Sequence, residues 1–246
     1  MEEIVVKTIT MNPNNTMCEF TSTKMFTFTD EDSEELLEVI IPEIAEAAYG
    51  MYTWPCAPVL AQYVWYHRHR LHGKNVLEIG SGTALTGIVA AKCGAHVILS
   101  DSGLHPECLE NCHRSCRANG LIDVEITPIT WGLITPNFLS LPQIHFIFGS
   151  DCFYDTKDFE DVLVTVSFLL HQNPLAEFWC TYQERSASRS IKFYLQKWGL
   201  QAEFVPTDTF FTKEQTNDAP GLDSVHMILI TLLTDSQVQM SSAISS

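Results

Sequence analysis

The hydrophobic pattern changes its period along the chain. Near the N-terminus it alternates: Phe26 and Phe28 are spaced by a threonine, and Leu37, Val39 and Ile41 alternate with Glu38, Ile40 and Pro42. A period of two predicts two half-buried strands able to pair as a hairpin. Ahead of them, Met1 to about Met17 shows little core-forming periodicity beyond Ile4-Val5-Val6, so a loose lead-in is expected. Past Pro55 the period lengthens. Proline suits the first turn of a helix, and Leu60, Val64 and Leu71 with Tyr63 and Trp65 give that helix a buried face. Short continuous apolar runs then alternate with helical patterns. Val76 to Ile79, Val97 to Ser100, Val124 to Ile129, Ile144 to Ser150, Glu177 to Tyr182, Ala202 to Val205 and Val225 to Leu233 read as strands. Pro106 to Asn119, Phe159 to Leu170 and a segment carrying Ile191, Leu195 and Trp198, stopped by Gly199, read as helices. Strands alternating with helices predict an α/β fold with a mainly parallel sheet covered on both faces. The expected organisation is an N-terminal extension with a β-hairpin over 1–48, an α/β domain over 49–233, and a serine-rich disordered tail over 234–246.

One stretch organises the rest: Asn75-Val76-Leu77-Glu78-Ile79-Gly80-Ser81-Gly82-Thr83-Ala84, followed by an apolar helix. Gly80 and Gly82 let the backbone turn sharply and leave no side chain between it and a ligand. The helix after the turn aims its first amide donors at the same point. Such a glycine pattern also serves a plain tight turn. Leu85 stands where the dinucleotide fingerprint has a third glycine, so a pyrophosphate is not specified. An acid does follow at the right distance, since the strand over Val97 to Ser100 ends in Asp101, placed for ribose hydroxyls. Glu78 is the odd residue of an apolar strand and needs a partner, either an amide cluster or a cationic ligand. Together these describe a nucleoside-bearing cofactor without a pyrophosphate, and S-adenosylmethionine, with its ribose, sulfonium and amine, fits.

Length and charge narrow the class. With 246 residues the chain can bury a full core. A formal net charge of -16 argues against direct nucleic-acid binding and suits either a basic protein substrate or simple solubility. Eight cysteines in a chain of this length point to reduced thiols in cytosol or nucleus. The acidic start Met1-Glu2-Glu3 is unlike a targeting peptide, and no apolar run reaches membrane-spanning length. The acidic run Asp30 to Glu35 is either a solvated turn or an attractor for a basic substrate. Cys108, Cys112 and Cys116 lie four apart on one predicted helix, where they cannot close a tetrahedron unaided; they read as buried small hydrophobes, and no metal is expected.

The remaining candidates stand at predicted strand ends. Trp54, just ahead of a helix start, is either core or a pocket wall. Thr130 and Trp131 follow the third strand of the α/β domain and either contact an adenine or pack under a loop. The central strand over Ile144 to Ser150 delivers Asp151-Cys152-Phe153-Tyr154 to the working edge, so Asp151 and Tyr154 lead as acceptor-site residues. Past the next strand come Glu184 and Arg185, which either neutralise one another or face and orient a substrate. The polar stretch from Pro206 to Leu222 is either a cover or an ordinary surface connection.

With these residues in place, the chain from about Tyr49 to Leu233 resembles the seven-strand methyltransferases of methyltransferase family sixteen, a protein-lysine methyltransferase group. The resemblance rests on Gly50-Met51-Tyr52-Thr53-Trp54-Pro55-Cys56-Ala57, Leu77-Glu78-Ile79-Gly80-Ser81-Gly82, Ser100-Asp101, Thr130-Trp131-Gly132, Ser150-Asp151-Cys152-Phe153-Tyr154 and Thr181-Tyr182-Gln183-Glu184-Arg185-Ser186. It implies a Rossmann-like seven-strand sheet whose last strand runs antiparallel between the fifth and sixth. It also implies a cofactor site for S-adenosylmethionine at Trp54, Glu78, Gly80, Ser81, Gly82, Asp101, Thr130, Trp131 and Ser150. Many relatives carry an acid where this chain has Thr130, so that contact is expected to be weaker. The branch it is similar to is associated with arginine methylation on histone tails, in nucleus and cytoplasm, while the wider family mostly modifies lysines.

Methyl transfer from a sulfonium is an in-line displacement and needs no protein nucleophile. An arginine acceptor keeps its charge at neutral pH. Asp151 and Glu184 are therefore expected to localise that charge away from the attacking nitrogen, with Tyr154 positioning it. A lysine acceptor must lose a proton first. The competing expectation is a weakly catalytic cofactor-binding protein that acts through transcription or chaperone partners.

Overall fold

The structure is a computed structural model and describes residues 4–11, 18–29, 35–44, 49–183, 185, 190–212, 215 and 224–233. Strands β1 (Ile4–Met11), β2 (Cys18–Phe28) and β3 (Leu37–Ile44) form an antiparallel sheet in the order β1-β2-β3. The expected hairpin is present, with Phe26 opposite Val39 and Phe28 opposite Leu37. The expectation of a loose lead-in is corrected: β1 pairs with β2 from Ile4 opposite Met25 to Met11 opposite Cys18. Its threonines alternate with Val6 and Ile9 too weakly to show a period, yet strand pairing satisfies the backbone whatever the side chains.

The main sheet contains β4 (Asn75–Glu78), β5 (His96–Asp101), β6 (Glu125–Pro128), β7 (Phe146–Ser150), β8 (Glu177–Gln183), β9 (Leu200–Val205) and β10 (Val225–Leu232). Its order is β6-β5-β4-β7-β8-β10-β9, with β10 antiparallel to both neighbours and β4 to β8 parallel where they pair. Helices α1 (Cys56–Tyr66), α2 (Leu85–Lys92), α3 (Pro106–Ala118), α4 (Pro136–Leu139), α5 (Phe159–Gln172) and α6 (Lys192–Lys197) cover it. The single-turn α4 goes unread in the sequence.

Strand parity divides the core. Val76, Phe146, Phe148 and Trp179 point to one face and pack with Leu60, Val64, Leu85 and Ile88 of α1 and α2. Leu77, Ile147 and Phe178 point to the other and pack with Val162, Leu163 and Val166 of α5. Phe26, Phe28, Val39 and Ile41 of the N-terminal sheet join the first cluster, so the extension shares a core with the main sheet. The predicted tail over 234–246, most of the acidic run and Asn217 to Gly221 lie outside the described residues. No helix among the described residues is long and apolar enough to cross a membrane.

Candidate active site

The carboxyl ends of β4, β5, β6 and β7 open onto one cavity of about 930 Å³. Open α/β sheets bind ligands in such a crevice. The turn after β4 builds its floor. Gly80 and Gly82 both adopt the left-handed conformation, at φ 61° and 52°. A Cβ on Gly80 would stand 2.7 Å from the Trp131 ring. Ser81 ties the turn to β5: its hydroxyl donates to the Glu78 carbonyl at 3.2 Å and accepts from the Ser100 amide at 3.1 Å. Asp101 then reaches back from β5. Its Oδ2 accepts from the Gly82 amide at 2.8 Å and its Oδ1 from the Ser102 amide at 2.7 Å. Burial nevertheless outweighs these bonds and raises its carboxyl above the usual range.

The walls are aromatic and polar. Trp54 and Tyr52 meet edge to face at 5.7 Å, and Trp131 lies 6.4 Å from the Tyr154 ring. Burial pushes the Tyr154 phenol up to about 12, so it stays protonated at neutral pH. Thr130 lines the cavity while its hydroxyl accepts from the Gly103 amide at 3.1 Å, holding the loop after β5. Ser150 lines the same space.

Asp151, just past β7, sits in the left-handed region at φ 54°. Its amide donates to the Thr181 carbonyl at 2.7 Å, continuing the β7–β8 ladder by one bond. Both carboxylate oxygens are engaged by Arg185, Nη1 to Oδ1 at 2.9 Å and Nη2 to Oδ2 at 2.6 Å. The partner that the structure gives Arg185 is Asp151, because β7 and β8 are neighbours and the chain past β8 ends beside it. Glu184 itself lies outside the described residues.

The structure gathers Trp54, Gly80, Ser81, Gly82, Asp101, Thr130, Trp131, Ser150, Asp151 and Tyr154 around the cavity, but not Glu78. That carboxyl turns under α2 and accepts from the Gly87 amide at 2.9 Å. Of its two expected partners it has the amide. Burial raises it to about 8.

Three residues absent from the sequence-based candidates position the site. Buried Glu43 accepts from the Thr53 amide at 2.8 Å, next to Trp54, and pairs with Lys24 at 3.4 Å. Lys24 lies over the Tyr52 ring at 4.4 Å. Parity carries the signal, because Lys24 follows the buried face of Phe26 and Phe28, and Glu43 that of Val39 and Ile41. Asn111 of α3 donates to the Gly50 carbonyl at 3.0 Å, fixing the other end of this segment. Cys108, Cys112 and Cys116 are all buried on α3, and burial raises Cys108 to about 12 and Cys116 to about 11. Among the described residues no three metal-type side chains converge.

The cavity chemistry suits a nucleoside with a short charged tail: an acid braced for a diol, aromatic walls for a base, and an open glycine turn. Comparison with known proteins agrees. Residues 33–197 match the model of a family described as lysine methyltransferase. A Xenopus laevis protein named histone-arginine methyltransferase METTL23 is 52% identical over 81% of this chain and 86% of its own length. The Homo sapiens protein of that name is 47% identical over 76% of this chain and 100% of its own. Among solved structures, a SAM-dependent methyltransferase from Aquifex aeolicus superposes with a TM-score of 0.51 at 15% identity, covering 70% of this chain and 89% of that one, a likeness of fold. From its sheet order, its cavity and these likenesses, the chain belongs to methyltransferase family sixteen, the family described as lysine methyltransferase, and is an S-adenosylmethionine-dependent methyltransferase.

Proposed function

We propose that this enzyme methylates a guanidinium nitrogen of an arginine on a basic protein such as a histone tail, in nucleus and cytoplasm. Asp151 carries the reading. Its two oxygens stand at the cavity wall and engage a guanidinium fork at 2.9 and 2.6 Å. A planar guanidinium meets such a pair with two parallel bonds, which an ammonium cannot do. The names of the METTL23 relatives support the acceptor, and a net charge of -16 supports a basic partner.

In this reading Asp101 holds the ribose, Trp54 and Trp131 wall the base and the methionine end, and the Gly80-Ser81-Gly82 turn admits the cofactor backbone closely. The bound cofactor supplies a methyl carbon on a sulfonium. The protein aligns the acceptor, excludes water and holds charge. Asp151 draws the guanidinium's positive charge to the nitrogens it touches, leaving the third richer in electrons for attack. Tyr154, a neutral phenol, positions that nitrogen by a hydrogen bond. The methylated nitrogen gives up its extra proton to water at the cavity mouth, while Asp151 stays bonded to the other two.

A lysine acceptor is the second reading, favoured by the description of the matched family. Mass spectrometry of labelled histone peptides names the residue modified. Labelled methyl transfer is expected to fall at least a hundredfold in Asp151→Ala, the scale of a lost charge-positioning group, while calorimetric cofactor binding persists. Activity equal to the unsubstituted enzyme would remove Asp151 from the acceptor site.

A further inference from the structure

We infer that Arg185 is an internal occupant of the acceptor seat: its guanidinium holds the place on Asp151 that a substrate guanidinium takes, and acceptor binding exchanges one for the other. The inference rests on reading Asp151 as the acceptor acid.

The cavity wall carries the carboxylates of Asp101, Glu107, Asp151, Asp158 and Asp161 against the permanent cations Lys157 and Arg185. Lys157 pairs with Asp155 at 3.0 Å. Arg185 instead turns inward and takes both oxygens of Asp151. The two partners differ in how firmly they are held. Asp151 is 7% exposed and anchored through its own backbone to Thr181, whereas the Arg185 side chain is 28% exposed and reaches back from beyond the end of β8. Arg185 is therefore the partner that moves. Swinging it into water frees a fixed, preformed carboxylate fork, and an incoming guanidinium remakes both bonds with the same charge. An ammonium faces the same displacement and remakes only one, so the resident arginine sets a threshold that guanidinium acceptors clear more readily. A plain structural brace predicts the reverse on removal of Arg185: Asp151 loses its orientation and acceptors bind less well.

Calorimetry on the full chain, saturated with S-adenosylhomocysteine, separates these readings. The probe is a short acetylated peptide with a single arginine, and its citrulline counterpart is the control. Arg185→Gln, similar in size but uncharged, and Arg185→Ala are both expected to bind the arginyl peptide about tenfold more tightly, the effect of roughly one charge-assisted hydrogen bond. Affinity for the citrullinyl peptide stays where it was, and Arg185→Lys falls between. In turnover the gain shows in KM. It must also disappear in an Asp151→Asn background. Unchanged or weaker arginyl binding in Arg185→Gln overturns the inference, and so does a gain that survives Asp151→Asn, since that gain would come from net charge alone. Thermal unfolding identifies any variant that has lost its fold, and the glutamine variant keeps the test open if the alanine one fails. Failure of the arginine reading itself looks different: the methyl label then appears on lysine in the product spectrum, whatever the binding series shows.

Discussion

Glu78 follows Val76 in strand parity, and so its carboxyl faces α2 rather than the cavity. It is held there by the Gly87 amide and by close packing. A Cβ on Gly87 would lie 2.3 Å from Leu99 Cδ2 and 2.6 Å from Glu78 Oε2, so the helix approaches β4 and β5 as nearly as its backbone allows. The desolvation of that contact exceeds the benefit of the Gly87 amide bond and of the Thr86 and Ser81 hydroxyls, and raises the carboxyl from about 4.5 to about 8. The folded chain thus holds this proton more tightly than the unfolded chain between those values. The associated stability is complete below the unfolded value and is lost as pH rises through the folded one. At about 1.4 kcal/mol per tenfold of proton affinity, the loss amounts to a few kcal/mol. Glu78→Gln, which cannot ionise, is expected to gain on the parent chain by that order between about pH 5 and about pH 8. Urea unfolding midpoints at the two ends measure the difference, and parallel curves would show that Glu78 ionises freely.

At the scale of elements, the N-terminal sheet acts as a bracket for the cavity wall at Tyr52 and Trp54. Lys24 on β2 and Glu43 on β3 are buried, and Glu43 holds the Thr53 amide beside Trp54. Removing one member of a buried pair leaves the other charge uncompensated and typically costs about 3–5 kcal/mol. Lys24→Met is therefore expected to lower unfolding stability by roughly 3 kcal/mol and to weaken cofactor binding through the Thr53-Trp54 segment. Pairing it with Glu43→Leu should restore much of the stability but not the affinity, because removing Glu43 takes away the acceptor of the Thr53 amide. Urea melts and cofactor titration follow the two quantities separately. The alternation of β2 and β3 was legible, and so was their pairing. The bracket was not, since it joins an alternating hairpin to a loop that begins another motif.

For the whole molecule, a net charge of -16 sets a long-range field that favours encounter with a basic partner. Screening shortens the reach of that field to about 10 Å at 0.1 M salt and about 3 Å at 1 M. Methylation of a basic peptide is accordingly expected to lose several-fold in kcat/KM between about 0.05 and about 0.5 M salt, while cofactor affinity changes little. Equal salt dependence for a neutral peptide carrying the same acceptor would refute the steering role. The field is a sum over the chain and is readable from composition. Where its negative ends converge, at the cavity over β4 to β7, is a property of the fold.

The sequence by itself determined what local backbone physics controls. Gly80 and Gly82 specify a left-handed turn, apolar runs such as Ile144 to Ser150 specify buried strands, and Asp101 closes the apolar run that precedes it. Each of these depends on residues a few positions apart, and the resemblance to a family supplied the order in which the strands lie. Only the tertiary structure decided which side chains meet. Glu78 joined Gly87 because parity and helix packing turned it away from the cavity. Arg185 reached Asp151, 34 positions earlier, because β7 and β8 lie side by side. Such meetings follow from long-range strand pairing and the closure of a common core, whose energies are spread over the whole chain rather than written in any one stretch of it.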